Sequence, residues 1–246
     1  MWVSDKWRAA GRVVAVLCIS VLFAGVTLAR PHPPIDFVQP AEAPVTAPSI
    51  AANSPNPFGL TSTTSGASFE KWRRLQAAIR VEARILALCR ASPEACPVAA
   101  SKFLSIVEAA RARSGRARIG SVNRAVNLAI RPVSDTVNFG LADLWATPLM
   151  TFTAGSGDCE DYAIAKYVAL REAGVAAQDL RLLLVRDETM RQDHAVTAAR
   201  LEGHWLILDN RRMALLSDDQ FAGVTPLAAF GDVGEFDGRA IAFAAP

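Results

Sequence analysis

The chain has 246 residues, 51% hydrophobic and 20% charged, which fits a folded protein of one or two domains and excludes a disordered, collagen-like or heptad-dominated one. The net charge of +2 resides in the first 29 residues, where Lys6, Arg8 and Arg12 outweigh Asp5; the remainder balances 23 basic against 23 acidic side chains. A neutral body without a basic stripe argues against nucleic acid as a partner.

Met1–Arg12 is a basic lead, and residues 13–29 form an unbroken uncharged run. That order is the pattern of a secretory signal peptide, with Thr27-Leu28-Ala29 as a loose cleavage site. The alternative is a retained anchor, since a helix over those residues reaches about 26 Å, just short of a ~30 Å hydrocarbon core. In both readings the body is exported to a periplasm or cell surface, and it meets the membrane only through residues 1–29, if these are uncleaved. Residues 30–67 carry eight of the fourteen prolines and no apolar periodicity, so they read as a flexible linker.

Residues 68–246 read as one domain. Phe69, Trp72, Leu75, Ile79 and Leu86 recur at helical steps, and Pro97 opens a second helix carrying Phe103, Ile106 and Val107. A third helix is marked by Ile119, Val122, Val126, Leu128 and Ile130, stopping before Pro132. A fourth follows Gly157, turns Ala163, Tyr167, Val168 and Leu170 inward and closes at Gly174. Beyond it the period changes: Leu180–Val185 is a short apolar strand, and His194–Leu201 with Trp205–Asp209 flank Glu202-Gly203 as a hairpin. Residues 240–245 read as a last edge strand. Helices first and antiparallel strands after them define an α+β order.

Cys89 and Cys96 flank the gap between two predicted helices, and an oxidising compartment favours a disulfide there. If Cys18 leaves with the signal, Cys159 is the odd thiol. It follows Gly155-Ser156-Gly157-Asp158, so it falls at the first position of a helix capped by Asp158. Exposed N–H groups and the helix dipole favour a thiolate there and can stabilise an oxyanion. Of the three histidines, His32 lies in the linker and His204 at the hairpin turn, which leaves His194 as the base. A two-residue turn at Glu202-Gly203 sets Asp209 opposite Val196, diagonal to His194 on the same face. Each residue alone has a plainer role, as a buried thiol, a structural histidine or a turn former. Together they fulfil the roles of nucleophile, base and orienting acid.

The stretches GDCEDYAIAKY (157–167), DHAV (193–196) and WLILDN (205–210), with SVNRAVN (121–127) and DLWATP (143–148), resemble the bacterial transglutaminase-like cysteine proteinases, the group that includes LapG-type periplasmic proteases. The resemblance spans about Phe69 to Arg211. It implies a papain-like, transglutaminase-type core with Cys159 as nucleophile, His194 as general base and Asp209 as orienting acid. It also implies calcium, with Asp158, Glu160 and Asp161 as ligands; capping of a helix N-terminus is the alternative use of those carboxylates. Anionic neighbours raise a thiol pKa, and a bound dication removes that penalty. The implied partners are a protein substrate, in LapG-type members a surface adhesin, and a cyclic-di-GMP-responsive membrane regulator. Acyl transfer to an amine through the same triad, and a non-catalytic binding module, are the competing functions. Zinc and nucleotide motifs are missing from the sequence.

Overall fold

The computed structural model describes residues 55–232, and its helices come first. α1 (Ala67–Ala91) buries Trp72, Leu75 and Leu86 along one face. A Cys89–Cys96 disulfide closes the turn into α2 (Val98–Arg111), which starts directly after Pro97 and buries Phe103, Leu104 and Val107. α3 (Gly115–Ala129) buries Ile119, Val122 and Val126. Leu128, expected inward, is 76% exposed, because a step of two from Val126 leads to the opposite side of a helix.

Two short elements then position the site. β1 (Arg131–Pro132) leads into α4 (Asp135–Phe139), and α5 (Pro148–Ala154) ends at Gly155. β2 (Ser156–Gly157) pairs in parallel with β1, so the chain after α3 and the chain before Cys159 are held side by side. α6 (Cys159–Glu172) is the central helix, with every residue from Asp161 to Leu170 buried. It ends at Gly174, whose φ of +92° lets the Val175 N–H reach the Leu170 carbonyl.

Five antiparallel strands follow: β3 (Leu180–Asp187), β4 (Gln192–Leu201), β5 (His204–Leu208), β6 (Leu216–Ser217) and β7 (Val224–Phe230), in the order β6-β5-β4-β3-β7. Leu180 and Leu182 join the core shared with the helices, while Leu183 and Val185 join Val196, Trp205, Ile207 and Phe221 in a second core on the other face. Phe58 and Leu60 pack against that second core. Arg181, wholly buried, bonds Asn56 Oδ1 at 2.5 Å and the Pro55 carbonyl at 3.0 Å and lies over the Trp205 ring. The Phe58 N–H bonds an Asp218 carboxylate oxygen at 3.0 Å, and the Thr63 N–H bonds the Ala229 carbonyl at 2.8 Å.

Residues 55–66, read from composition as the end of the linker, are therefore fastened to the domain. Their few apolar anchors have no period to reveal them. β7 forms one edge of the sheet, and the edge strand expected at residues 240–245 lies outside the described residues, as do the leader and residues 30–54. Among the described residues no helix is long and apolar enough to cross a membrane.

Candidate active site

Glu202 and Gly203 have φ of +51° and +82°, the two-residue turn that matches strand twist. Leu201 pairs with His204 and Thr197 with Leu208, so the register continues to Asp209 opposite Val196. His194 Nε2 and Asp209 Oδ1 lie 2.9 Å apart, both side chains buried. Asp209 Oδ1 also accepts the Arg211 N–H at 3.0 Å, and Arg212 Nε stands 3.7 Å from Oδ2. Burial pushes the Asp209 carboxyl up, but the hydrogen bonds from His194 and Arg211 and the charges of His194 and Lys166 outweigh it and hold it below the ordinary carboxylate value. α3 braces this turn through main-chain carbonyls: Asn127 Nδ2 donates to Asp209 and Arg212, and Asn123 Nδ2 to Arg212 and Met213, at 2.8 to 3.2 Å. A cleft beside the pair is lined by Asp187, Met190, Arg212 and Phe221. His204 is exposed at the hairpin end.

Cys159 is the first residue of α6. The main-chain N–H of Ala195, the residue after His194, lies near enough to favour its thiolate, so β4 presents the sulfur's neighbour and the imidazole at successive positions. The thiol itself donates to Glu160 Oε2 at 2.9 Å, while His194 Nδ1 is buried without a hydrogen-bond partner. Burial pushes the Cys159 thiol up, and the Glu160 and Asp158 carboxylates push it further, against the Ala195 N–H. The thiolate-favouring effect expected of the helix N-terminus is thus outweighed here. The reason is first the burial of the sulfur and then Glu160, a whole carboxylate in contact with it, where a helix end offers only about half a charge.

Asp135 of α4 joins Asp158 and Asp161, with one oxygen from each lying within 4.8 Å of the others. Asp135 accepts the Leu144 N–H and Asp161 the Ala146 N–H, yet Asp135 Oδ1, Asp158 Oδ1 and Asp161 Oδ2 remain buried without a hydrogen-bond partner. Asp158 occupies the N-cap position, but its side chain makes no cap bond, contrary to the sequence expectation. Gly157 permits the crowding, because a Cβ there would stand 2.5 Å from Asp161 Oδ2. Burial and then the Glu160 charge push Asp158 up to about 8. Burial, with Asp135 and Glu160 prevailing over the Ala146 N–H, pushes Asp161 up to about 7. Hard oxygen donors with idle lone pairs and raised pKa values suit a divalent cation such as calcium.

Of the three carboxylates expected as ligands, Asp158 and Asp161 come together, whereas Glu160 turns to Asp158 and Cys159. Asp135, absent from that expectation, completes the group; no spacing in the sequence marks it, since the β1–β2 pairing and the Asn138–Ser156 hydrogen bonds bring α4 to the start of α6. Trp145 is buried, with its ring edge-on to Phe230.

A cysteine opening a central helix beside a sheet-borne His–Asp pair, in an α+β fold, defines a papain-like cysteine hydrolase. A family model of the bacterial transglutaminase-like cysteine proteinases matches residues 81–221, more than half of the chain. The chain belongs to that family and is a transglutaminase-like cysteine peptidase. Among solved structures, Legionella pneumophila LapG is similar, at 24% identity and a TM-score of 0.51 over 61% of this chain and 84% of that one. Its EGTA-treated form matches at 24% identity and 0.50 over 60% and 80%, and its calcium-bound form at 25% and 0.49 over 55% and 75%. No curated protein matches the sequence.

Proposed function

We propose that this peptidase is an exported endopeptidase acting on a protein substrate through Cys159, His194 and Asp209. The observation that carries the reading is the buried His194–Asp209 pair, 2.9 Å apart, on the strand whose next residue acts on the sulfur of Cys159 at the start of α6. Asp209 on Nε2 fixes the ring so that Nδ1 is the nitrogen left to take the thiol proton. The sulfur then attacks the peptide carbonyl carbon, the C–N bond breaks, and His194 returns the proton to the departing amine. Water adds to the thioester, His194 accepting its proton, and the acid leaves as the thiol re-forms. N–H groups at the start of α6 are in place to bind the oxyanion.

Asp135, Asp158 and Asp161 would hold calcium. Bound there, it would neutralise carboxylates that press on the thiol. Export through residues 1–29, a surface adhesin as substrate and control by a cyclic-di-GMP-responsive membrane partner belong to the same reading, supported by the motifs around Cys159. The test is cleavage of surface proteins shed from cells and treated with the purified enzyme, followed by terminal mass spectrometry. Cleavage should vanish in Cys159→Ala and His194→Ala. Persistence in Cys159→Ala would refute the assignment.

A further inference from the structure

The chain does not leave the fold at the sheet edge. Beyond β7, Gly231 and Asp232 are fastened between α1 and α6. From α1, Trp72 Nε1 donates to the Gly231 carbonyl at 2.6 Å and Gln76 Nε2 to Asp232 Oδ1 at 3.0 Å. From α6, the Tyr167 hydroxyl donates to the same oxygen at 2.7 Å, and Arg171 forms an ion pair with Oδ2. Asp232 is only 6% exposed. A carboxylate leaves water only where donors replace it, and here three side chains from two helices do so.

Asp232 enters a groove of about 320 Å³ between those two helices. On α1, Trp72, Gln76, Ile79, Ala83 and Leu86 recur at steps of four and three and form one stripe. The stripe is buried at Trp72, Gln76 and Leu86 but only half-buried at Ile79 and Ala83, which line the groove with Val168 of α6. Its cover thus has a gap in the middle. Of the charges along the groove, Arg171 is held by Asp232 and Glu172 by Arg90 at 2.8 Å. Arg80 is exposed and has no ion pair among the described residues.

We propose that this groove seats the chain's own C-terminal segment, residues 233–246, with Phe236 filling the gap over Ile79 and Ala83 and with Glu235 and Asp237 meeting Arg80. The segment lies beyond the described residues, but its sequence places its first aromatic side chain between two carboxylates. Apolar filling and charge therefore match the gap and its rim together. Reach agrees as well. From Gln76 to Ala83 α1 rises about 10 Å, and four residues beyond Asp232 span up to about 13 Å. Covalent attachment favours this occupant over a second copy or another protein, because a segment that starts inside the groove is present there at an effective concentration on the order of millimolar.

Arg239 is the one trypsin site within residues 233–246, and trypsin cuts a seated chain only after it lifts away. The test is brief, low-trypsin digestion of the whole protein, with the cut read by mass as loss of residues 240–246. Phe236→Ser should quicken that cut about tenfold or more, and Arg80→Glu about threefold. Equal rates in the wild type and the folded variants overturn the proposal. Arg80 is exposed, so Arg80→Glu decides alone if Phe236→Ser does not fold. The occupant is identified with benzoylphenylalanine in place of Phe236, in an equal mixture of unlabelled and nitrogen-15-labelled protein. Irradiation should link position 236 to residues 76–84 of α1 or 164–172 of α6 within one chain. Links joining labelled to unlabelled chains would assign the groove to a second copy, and links elsewhere would leave it without the segment; either overturns the proposal. Both readouts are independent of turnover and of calcium, so the peptidase assignment stands or falls separately.

Discussion

Filling the Asp135–Asp158–Asp161 group with calcium must expel protons, and the number can be worked out. With Asp158 at about 8 and Asp161 at about 7, the ion-free protein at pH 7 holds roughly nine-tenths of a proton on the first and half on the second. A dication bound by both carboxylates therefore releases about 1.4 protons at pH 7, rising to nearly 2 at pH 6 and falling to about 0.1 at pH 9. Calorimetric titration with calcium in buffers of different ionisation enthalpy reads this directly, as the slope of apparent heat against buffer heat. The same shifts fix a stability trend. Both folded-state values lie above the unfolded carboxyl value near 4, so the ion-free fold keeps their contribution below that value and loses it as pH rises through 7 to 8. Saturating calcium should restore the loss. Saturable binding at pH 7 with no proton release would show the carboxylates already ionised and would refute the account of the site.

Three more outcomes follow from the same geometry. Glu160→Gln removes the carboxylate that accepts the Cys159 S–H hydrogen bond and opposes the thiolate, and iodoacetamide labelling in chelator at pH 7 should quicken about tenfold, one unit of thiol pKa; an unchanged rate would deny Glu160 that role. Gly157→Ala drives a Cβ into Asp161 and should weaken calcium binding about tenfold or more in a folded protein, so an unaltered Kd would remove Asp161 from the site. Replacing Cys89 and Cys96 by Ser should cost about 2–3 kcal/mol, a Tm roughly 5–10 °C lower by thermal melt, with cleavage retained; loss of cleavage in the folded variant would tie the disulfide to the site.

The sequence disclosed elements whose signal is local. Trp72, Leu75 and Leu86 announced α1, Gly174 the end of α6, and Glu202-Gly203 set a register that carries Asp209 to His194. What depended on distant pairing stayed hidden. Asp135 reaches Asp158 because β1 pairs with β2 and Asn138 bonds Ser156, and Asn56 and Phe58 join the domain through partners as distant as Arg181, Asp218 and Phe221. The direction of Glu160 was also illegible: its spacing from Asp158 and Asp161 says nothing about whether its rotamer faces the carboxylates or the sulfur.

The grip of Asn123 and Asn127 on the turn after β5 has a consequence for change in this enzyme. Four of their five bonds end on main-chain carbonyls, of Asp209, Arg212 and Met213, and only one reaches a side chain, Met213 Sδ at 3.9 Å, so the path of the turn depends little on the side chains that stand there. Arg212 lines the cleft beside His194, and Met213 is 47% exposed. The rim of the cleft can therefore be rewritten at Arg211 and Arg212, in nature or by selection, without moving the backbone that carries Asp209, a change at Arg212 giving up the guanidinium 3.7 Å from its carboxylate, which makes 211–212 the natural place to retarget the peptidase.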